Sequence, residues 1–513
     1  MSTVSDRFCS AEAAAQLIDD GSTVAVTGFR FAGSPEEILK ALGQRHAQRQ
    51  QPQNITIVFS SAQGDSDSRG LDHLARPGLL KRAIGGFFGV TPKLTRLIMD
   101  EQLEAYNLPQ GQITRLYHAI AAGQPGHVSD IGTGTFVDPR IDGGRLNSRT
   151  KDDIVEVIHI SGREWLFYRS FPIQAALIRG TAADSRGNIA MGREAVKLET
   201  LPLAMAVKNS GGKVIVQVER RVDDGALHPK DVELPGYLVD AIVVCEDPVR
   251  NHPQTLACQF DPAFCGEERK PASQIEPLKP GERKVIARRA AMELKGGEVI
   301  NLGSGIPEGI GAVLAEEGRL ASVHLSLESG VNGGVPETQP DFGVCTNPEA
   351  IIRADDQFTF YDGGGLDATF LGFAQIDAAG NVNVSRFSGQ LVGCGGFIDI
   401  TRRTKKVVYC GTFNSGGLKI ELSDRGLRIA RQGRYRKFLS AVEQITSSGE
   451  QARILGQRVL VITERCVLEL REGRFELREV ADGIDIRRDV LAEMDFKPSI
   501  PREPALMPAR CFS

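Results

Sequence analysis

The sequence predicts an α/β protein made of two related open domains, each with a mostly parallel sheet. Short apolar, β-branched runs alternate with helical patterns along the chain, as expected for strands covered on both faces by helices. One block of sequence occurs twice in constant register. A stretch rich in proline and charge separates the two copies, which suits an exposed linker.

The elements follow in order. Ala11 to Ile18 is Ala-rich and amphipathic and reads as a helix, Gly21 turns the chain, and Thr23–Thr27 is a buried strand ending at Gly28. Gly33-Ser34-Pro35-Glu36-Glu37-Ile38 then opens a second helix. Ile55–Ser60, Val214–Val218 and Ala241–Val244 are further strands of the first half. The same order returns later: helix at Ala287 to Leu294, strand at Val299–Leu302, and the loop Gly303-Ser304-Gly305-Ile306-Pro307-Glu308 leading into a helix. Val407–Cys410 and Val459–Thr463 are strands of the second half. Asp184 to Ile189 recurs as Asp377 to Val382, and Lys213–Val216 as Lys406–Tyr409, both at an offset of 193 positions. Asn188 and Asn381, each after a glycine, read as turn formers. Gly33 to Asn188 spans 155 positions and Gly305 to Asn381 only 76, so the first half carries about 79 extra residues. The expected division is 1–265, a linker at 266–281, and 282–513.

Composition narrows the function classes. The net charge of −4 over 513 residues argues against a nucleic-acid partner held through its phosphates. No apolar run approaches the roughly 20 residues needed to span a bilayer, so no membrane partner is expected. Met1 to Ser10 is polar and lacks a signal-peptide core. Nine scattered cysteines without a CxxC pair suggest reduced thiols in the cytoplasm. Neither they nor the eight histidines form a metal-site spacing, so no metal is expected.

Two glycine-rich segments carry the candidate chemistry. Glu328 ends the apolar stretch Val323 to Leu327 and is followed by Gly330, Gly333 and Gly334. A carboxylate at a strand tip is reachable, and glycines let a ligand approach the backbone; a solvated loop carboxylate is the plain alternative. Gly303, Gly305 and Pro307 follow a strand and open a helix, a place that favours phosphate or carboxylate, with a structural turn as the plain alternative. The loop lacks the Lys-Ser/Thr of a P-loop, and Pro307 breaks the dinucleotide pattern. In open α/β sheets ligands sit beyond the carboxyl ends of strands, so both segments could line one edge. Gln110 in Pro109-Gln110-Gly111 reads by itself as part of a turn.

The Glu328-x-Gly-x-x-Gly-Gly334 segment resembles the active-site signature of family I coenzyme A-transferases. The strand–Gly303-x-Gly305-x-Pro307 block is similar to that family's second glycine motif, and the duplicated layout is similar as well. Ile462-Thr463-Glu464-Arg465 and the tail Gly483-Ile484-Asp485-Ile486 to Phe496-Lys497-Pro498 resemble the single-chain bacterial members acting on short acyl groups, the acetate and propionate type. The resemblance implies an enzyme with coenzyme A as cosubstrate, no permanently bound cofactor, acyl-CoA and short carboxylic acids as partners, and a homodimer or homotetramer. It implies Glu328 as a nucleophile forming first an acyl-glutamyl anhydride and then a glutamyl-CoA thioester, with ping-pong kinetics. It also implies Gln110 and Gly372 as oxyanion donors, and Gly303, Gly305, Pro307, Gly330, Gly333 and Gly334 near the CoA; Lys419, which follows Gly416-Gly417, is the candidate for an adenosine contact of the CoA. Two other readings stay open: an acyl-CoA hydrolase on the same scaffold, and a non-catalytic CoA or metabolite binder.

Overall fold

The computed structural model describes residues 7–271 and 274–512; positions 272 and 273 of the expected linker lie outside the described residues. Strands β1 (Thr23–Val26), β2 (Ile55–Phe59), β3 (Leu80–Gly85), β4 (Glu104–Asn107), β5 (Ala175–Ala183), β6 (Lys213–Arg221) and β7 (Ala241–Val244) form one sheet. They run parallel in the order β7-β6-β5-β1-β2-β3-β4. A second sheet holds β8 (Val299–Leu302), β9 (His324–Ser326), β10 (Ala368–Leu371), β11 (Lys406–Cys410) and β12 (Arg458–Ile462). These too are parallel, in the order β12-β11-β10-β8-β9. In this second sheet antiparallel strands join at the two edges of the parallel core, at Val331–Asn332 beside β9 and Cys466–Arg471 beside β12.

The continuous apolar runs follow from burial on both faces. Within β1, Val24 and Val26 enter one core while Ala25 enters the other. Val408 and Cys410 of β11 likewise separate from Val407 and Tyr409. Alternate side chains point to opposite faces of a strand, so a sheet with two dry faces needs apolar residues at every position.

Strand order β7-β6-β5-β1-β2 repeats as β12-β11-β10-β8-β9, as the sequence repeat implies. The Asn-bearing turns agree down to single hydrogen bonds. Asp184 accepts from the backbone N–H and side-chain amide of Asn188 at 2.9 and 2.8 Å; Asp377 does the same with Asn381 at 3.0 Å each. Each Asn then accepts from a glycine N–H, Gly236 in one half and Gly449 in the other. The extra residues of the first half supply β3, β4, a helix α1 (Gln110–Ala121) and a three-stranded antiparallel sheet of Gly126–Ser129, Val155–Ile160 and Arg163–Arg169. Helix α1 lies against α2 (Ala354–Asp362) of the second half, where Gln112 donates to Asp362 at 2.9 Å and His118 pairs with Asp355 at 2.8 Å. This insertion is what brings Gln110 to the other half's strand ends.

Candidate active site

A largely apolar cavity of about 160 Å³ lies where the carboxyl ends of the two sheets meet. The first half contributes Phe29 and Arg30 after β1, Ser61 after β2, Phe87 after β3, and Gln110 at the start of α1. From the second half come Gly303 and Ser304 after β8, Glu328 after β9, and Leu371 and Gly372 at the end of β10. Register makes the two walls equivalent. Ala25 aligns with Val58, and Ile300 with Leu325; Ser61 and Glu328 each stand three residues further on. The duplicated scaffold thus offers the same strand tip twice, with a carboxylate on one copy only.

Glu328 leaves β9 through a tight reversal, with Gly330 N–H donating to Leu327 C=O at 3.0 Å and Leu327 N–H to Val331 C=O at 2.8 Å. Gly330 has φ +95°, and a Cβ there would stand 2.2 Å from the carbonyl oxygen of Ile352. At Gly334 a Cβ would meet the Thr346 carbonyl oxygen at 2.4 Å, and at Gly333 the side chain of Glu349 at 2.5 Å. None of these three glycines lines the cavity. The room they make is filled by the chain's own segment 346–352, and the turn they permit presents Glu328. Glu328 is half-buried rather than solvated. Loss of hydration pushes its carboxyl up to about 7, opposed by the nearby Arg30 cation, because burial disfavours the charged form.

Gln110 is the first residue of α1, not part of a simple turn. Its side chain is buried, and neither its amide N–H₂ nor its carbonyl oxygen has a hydrogen-bond partner among the described residues. An orphaned buried amide is costly unless something else occupies the site, and this one lines the cavity. Its backbone is fixed from the second half: Gln110 N–H donates to Gly395 C=O at 2.9 Å, and Gly395 N–H to Gly86 C=O at 2.8 Å. Asp399, on helix α3 (Phe397–Arg403), accepts from Gly111 N–H at 3.1 Å and from the Gln112 amide at 2.7 Å. The first turn of α1 is therefore held by a carboxylate from the opposite half.

Gly395 and Gly396 lie between the amide and the carboxylate. A Cβ on Gly395 would be 3.9 Å from Gln110 Oε1, and one on Gly396 would be 2.8 Å from Glu328 Oε2. Gly396→Ala is expected to displace the Glu328 carboxylate and to slow any reaction in which that carboxylate takes part by about tenfold or more, since misplacement of about 1 Å can cost about 10²-fold. Steady-state rates at saturating substrate, with a thermal melt as the folding control, check this.

The other expected residues divide. Gly303 and Gly372 line the cavity; a Cβ on Gly303 would strike Leu371 at 2.7 Å, whereas Gly372 has only the Ser304 carbonyl oxygen, at 3.5 Å, in reach. Gly305 and Pro307 do not line it. The N–H of Gly305 is already taken by Glu308 Oε2 at 2.9 Å, and its carbonyl accepts from Arg283 at 2.9 Å. The anion that this loop attracts is thus Glu308, the residue just before helix α4 (Gly309–Glu316). Lys419 stands exposed on the ribbon Lys419–Leu422/Leu427–Arg431, outside the cavity lining.

Sequence reasoning missed Arg30, Phe29, Phe87, Phe342 and the Gly395–Gly396 step. The repeat held a usable signal for the first two: the loop after β1 matches the Gly303 loop, so Phe29 and Arg30 should reach the same edge. Phe87, Phe342 and Gly395 meet the site through contacts across the two halves, which no local pattern marks.

The profile of the coenzyme A transferase family matches residues 9–245 of the chain. The chain is 44% identical over 512 residues to a caffeate CoA-transferase of Acetobacterium woodii, covering 99% of this chain and 97% of that protein. It is 41% identical over 507 residues to the acetate CoA-transferase YdiF of Escherichia coli K12, covering 98% and 94%. A crystal structure of the E. coli O157:H7 acyl-CoA transferase YdiF, in its thioester complex with CoA, matches with a TM-score of 0.92 at 39% identity, covering 99% of this chain and 96% of that one.

Proposed function

Because this chain belongs to the coenzyme A transferase family, we propose that it moves coenzyme A from a short, apolar acyl-CoA to a free short carboxylic acid, with Glu328 as the covalent nucleophile. The observation that carries this reading is a half-buried carboxylate and an unpartnered amide, Glu328 and Gln110, on one small apolar cavity. A cavity of about 160 Å³ walled by Phe29, Phe87 and Phe342 lies below the roughly 300–1,000 Å³ of drug-sized sites, so acetyl, propionyl and butyryl groups are the proposed acyl class.

The Glu328 carboxylate attacks the thioester carbonyl carbon. The tetrahedral adduct collapses by breaking the C–S bond, leaving an acyl-glutamyl anhydride and CoA thiolate. The thiolate then attacks the glutamyl carbonyl carbon and expels the first acid as its carboxylate. A second acid reverses these steps and departs as its CoA ester. Each addition places negative charge on a carbonyl oxygen. The Gln110 N–H₂, with no acceptor among the described residues, and the Gly372 N–H beside the cavity are the proposed donors; a preorganised donor of this kind contributes about 3 kcal/mol. Glycines 330, 333 and 334 serve as the hinge-free turn behind the nucleophile, and Gly303 as the close contact that seats the β8 loop on β10. Gly305 and Pro307 are assigned to the CoA arm on the strength of the family resemblance, and Lys419, exposed on its ribbon, to the adenosine end. We place the enzyme in the cytoplasm, in keeping with the buried free thiols of Cys345, Cys394, Cys410 and Cys466; no helix among the described residues is long and apolar enough to cross a membrane. The homodimer or homotetramer expected for the family is checked by light scattering.

The test is covalent trapping. Incubation with acetyl-CoA, followed by digestion and mass analysis, should put a CoA thioester on the peptide carrying Glu328. Modification elsewhere sinks the assignment. Without an added acid, acetate release should stop near one equivalent while the CoA stays on the enzyme; sustained release of free CoA would mean hydrolysis instead.

The carboxylate is the attacking form, so activity must follow its ionisation. With the Glu328 carboxyl held up to about 7, the reactive fraction grows as pH rises through 7 and falls about tenfold per pH unit below it. The rate of thioester formation from acetyl-CoA should therefore rise from pH 5 to pH 7 and level off near pH 8. A rate independent of pH across that range would contradict this.

A further inference from the structure

Arg30 is the cation among the residues that line the cavity. Among the described residues its guanidinium makes one side-chain hydrogen bond, Nη2 to Ser304 Oγ at 3.4 Å. It lies beside the rings of Phe87 and Phe342, with centroids 5.8 and 5.9 Å away. Three carboxylates act on it electrostatically: Glu308, Glu328 and Asp341. None forms an ion pair with it within 4 Å among the described residues. Two of them are engaged elsewhere. Glu308 accepts from Gly305 N–H at 2.9 Å and lies 3.6 Å from Arg283, and Asp341 accepts from Ala257 N–H at 2.9 Å. Glu328 is the anion that shares the cavity. The backbone of Arg30 is pinned as well: it has φ 56°, and its N–H and C=O are bonded to Ala62 and Gly64 at 3.1 and 3.0 Å. A non-glycine residue in the left-handed region persists only where its surroundings over-determine it.

We propose that Arg30 is the recognition group for the free carboxylic acid, and that Glu328 gates it. The proposal rests on Glu328 being the residue that carries the thioester. In the unloaded enzyme the Glu328 carboxylate already faces Arg30, and a second anion in so small a cavity is repelled. Conversion of Glu328 to a neutral thioester removes that charge and leaves the guanidinium without its cavity counterion. Its planar fork of N–H donors matches a carboxylate, so the incoming acid is drawn in beside the carbonyl carbon it must attack. The acyl-CoA carbonyl is neutral and gains little from Arg30. Acid binding is thus coupled to loading, which keeps free acids from occupying the site before CoA is transferred.

The experiment measures propionate binding at pH 8 by ligand-observed NMR, with Glu328→Gln as the neutral stand-in for the loaded state. Glu328→Gln is expected to bind propionate about tenfold more tightly than the wild type, the scale of a charge-assisted hydrogen bond. Adding Arg30→Gln should erase the gain, and adding Arg30→Lys should keep part of it. In turnover at pH 8, Arg30→Gln should raise KM for propionate about tenfold, a larger change than in thioester formation from propionyl-CoA, which should slow only as far as loss of the Arg30 cation leaves less of Glu328 ionised. Equal propionate affinity in the wild type and Glu328→Gln would overturn the proposal, and that comparison needs no Arg30 variant to fold. So would a gain that survives Arg30→Gln. A third contrary result is an Arg30→Gln enzyme with unchanged propionate KM and a shifted pH profile for thioester formation, which would make Arg30 a tuner of Glu328 only. Failure of the covalent reading shows separately, as a wild-type enzyme that never carries CoA on Glu328.

Discussion

Glu328→Gln is expected to remove CoA transfer almost entirely, by about 10⁴-fold or more, on the scale seen when a covalent nucleophile is deleted. The variant should form no thioester with acetyl-CoA and should remain folded. Its stability provides a second, independent readout. Burial pushes the Glu328 carboxyl up to about 7 from its ordinary 4.5. Between those two values the folded chain holds a proton that the unfolded chain has lost. Native stability therefore falls as pH rises through that window, and the whole cost is present above pH 7. At about 1.4 kcal/mol per unit the penalty is on the order of 3 kcal/mol. Glu328→Gln removes it, so the variant should melt higher than the wild type at pH 8 and close to it at pH 4. An inactive enzyme with an unchanged melting point at pH 8 would mean that Glu328 is better solvated than its surroundings imply. Retained transfer activity would remove it from the chemistry.

Gln110→Ala is expected to lower kcat by about 10²–10³-fold, the usual loss for one preorganised oxyanion donor, and to change the KM for acyl-CoA much less. The reasoning is geometric. The Gln110 amide has no partner among the described residues although it is buried, and its helix start is clamped by Gly395 and Asp399. Such a group gains its partner only when charge develops on a substrate oxygen, so its loss should appear in kcat. A KM effect with constant kcat would mark Gln110 as a ground-state contact. An unchanged kcat and KM would take it out of the site. Gln110→Glu separates size from donor ability: it keeps the shape, loses the N–H₂ and adds an anion, and should be at least as impaired as the alanine variant.

How much of this could be read without the fold differs from residue to residue. Val299–Leu302 and Lys406–Cys410 were legible as strands because a sheet covered on both faces requires apolar residues at consecutive positions. The 193-residue offset was legible because the equivalent turns need the same Asp, Gly and Asn for the same hydrogen bonds. The strand tip bearing Glu328 was legible because its turn requires glycine at 330, where φ is +95°. The use of those glycines was not. The sequence alone assigns them to clearing space for a ligand, whereas the segment 346–352 occupies that space. Lys419 followed a pair of glycines that turn out to serve a surface ribbon.

The sequence by itself determined the α/β class, the duplicated sheets, the family resemblance and the position of the carboxylate, since each rests on periodicity, turn chemistry or a short motif within a few neighbouring residues. Only the tertiary structure decided what faces that carboxylate. Gln110, 218 positions before Glu328 in the chain, reaches the cavity because the inserted β3–β4–α1 segment docks on the opposite half through Asp399 and Gly395. Arg30 arrives there because the two sheets meet at their carboxyl ends. Such meetings depend on packing between distant segments, and the energy of that packing is written in no local stretch of residues.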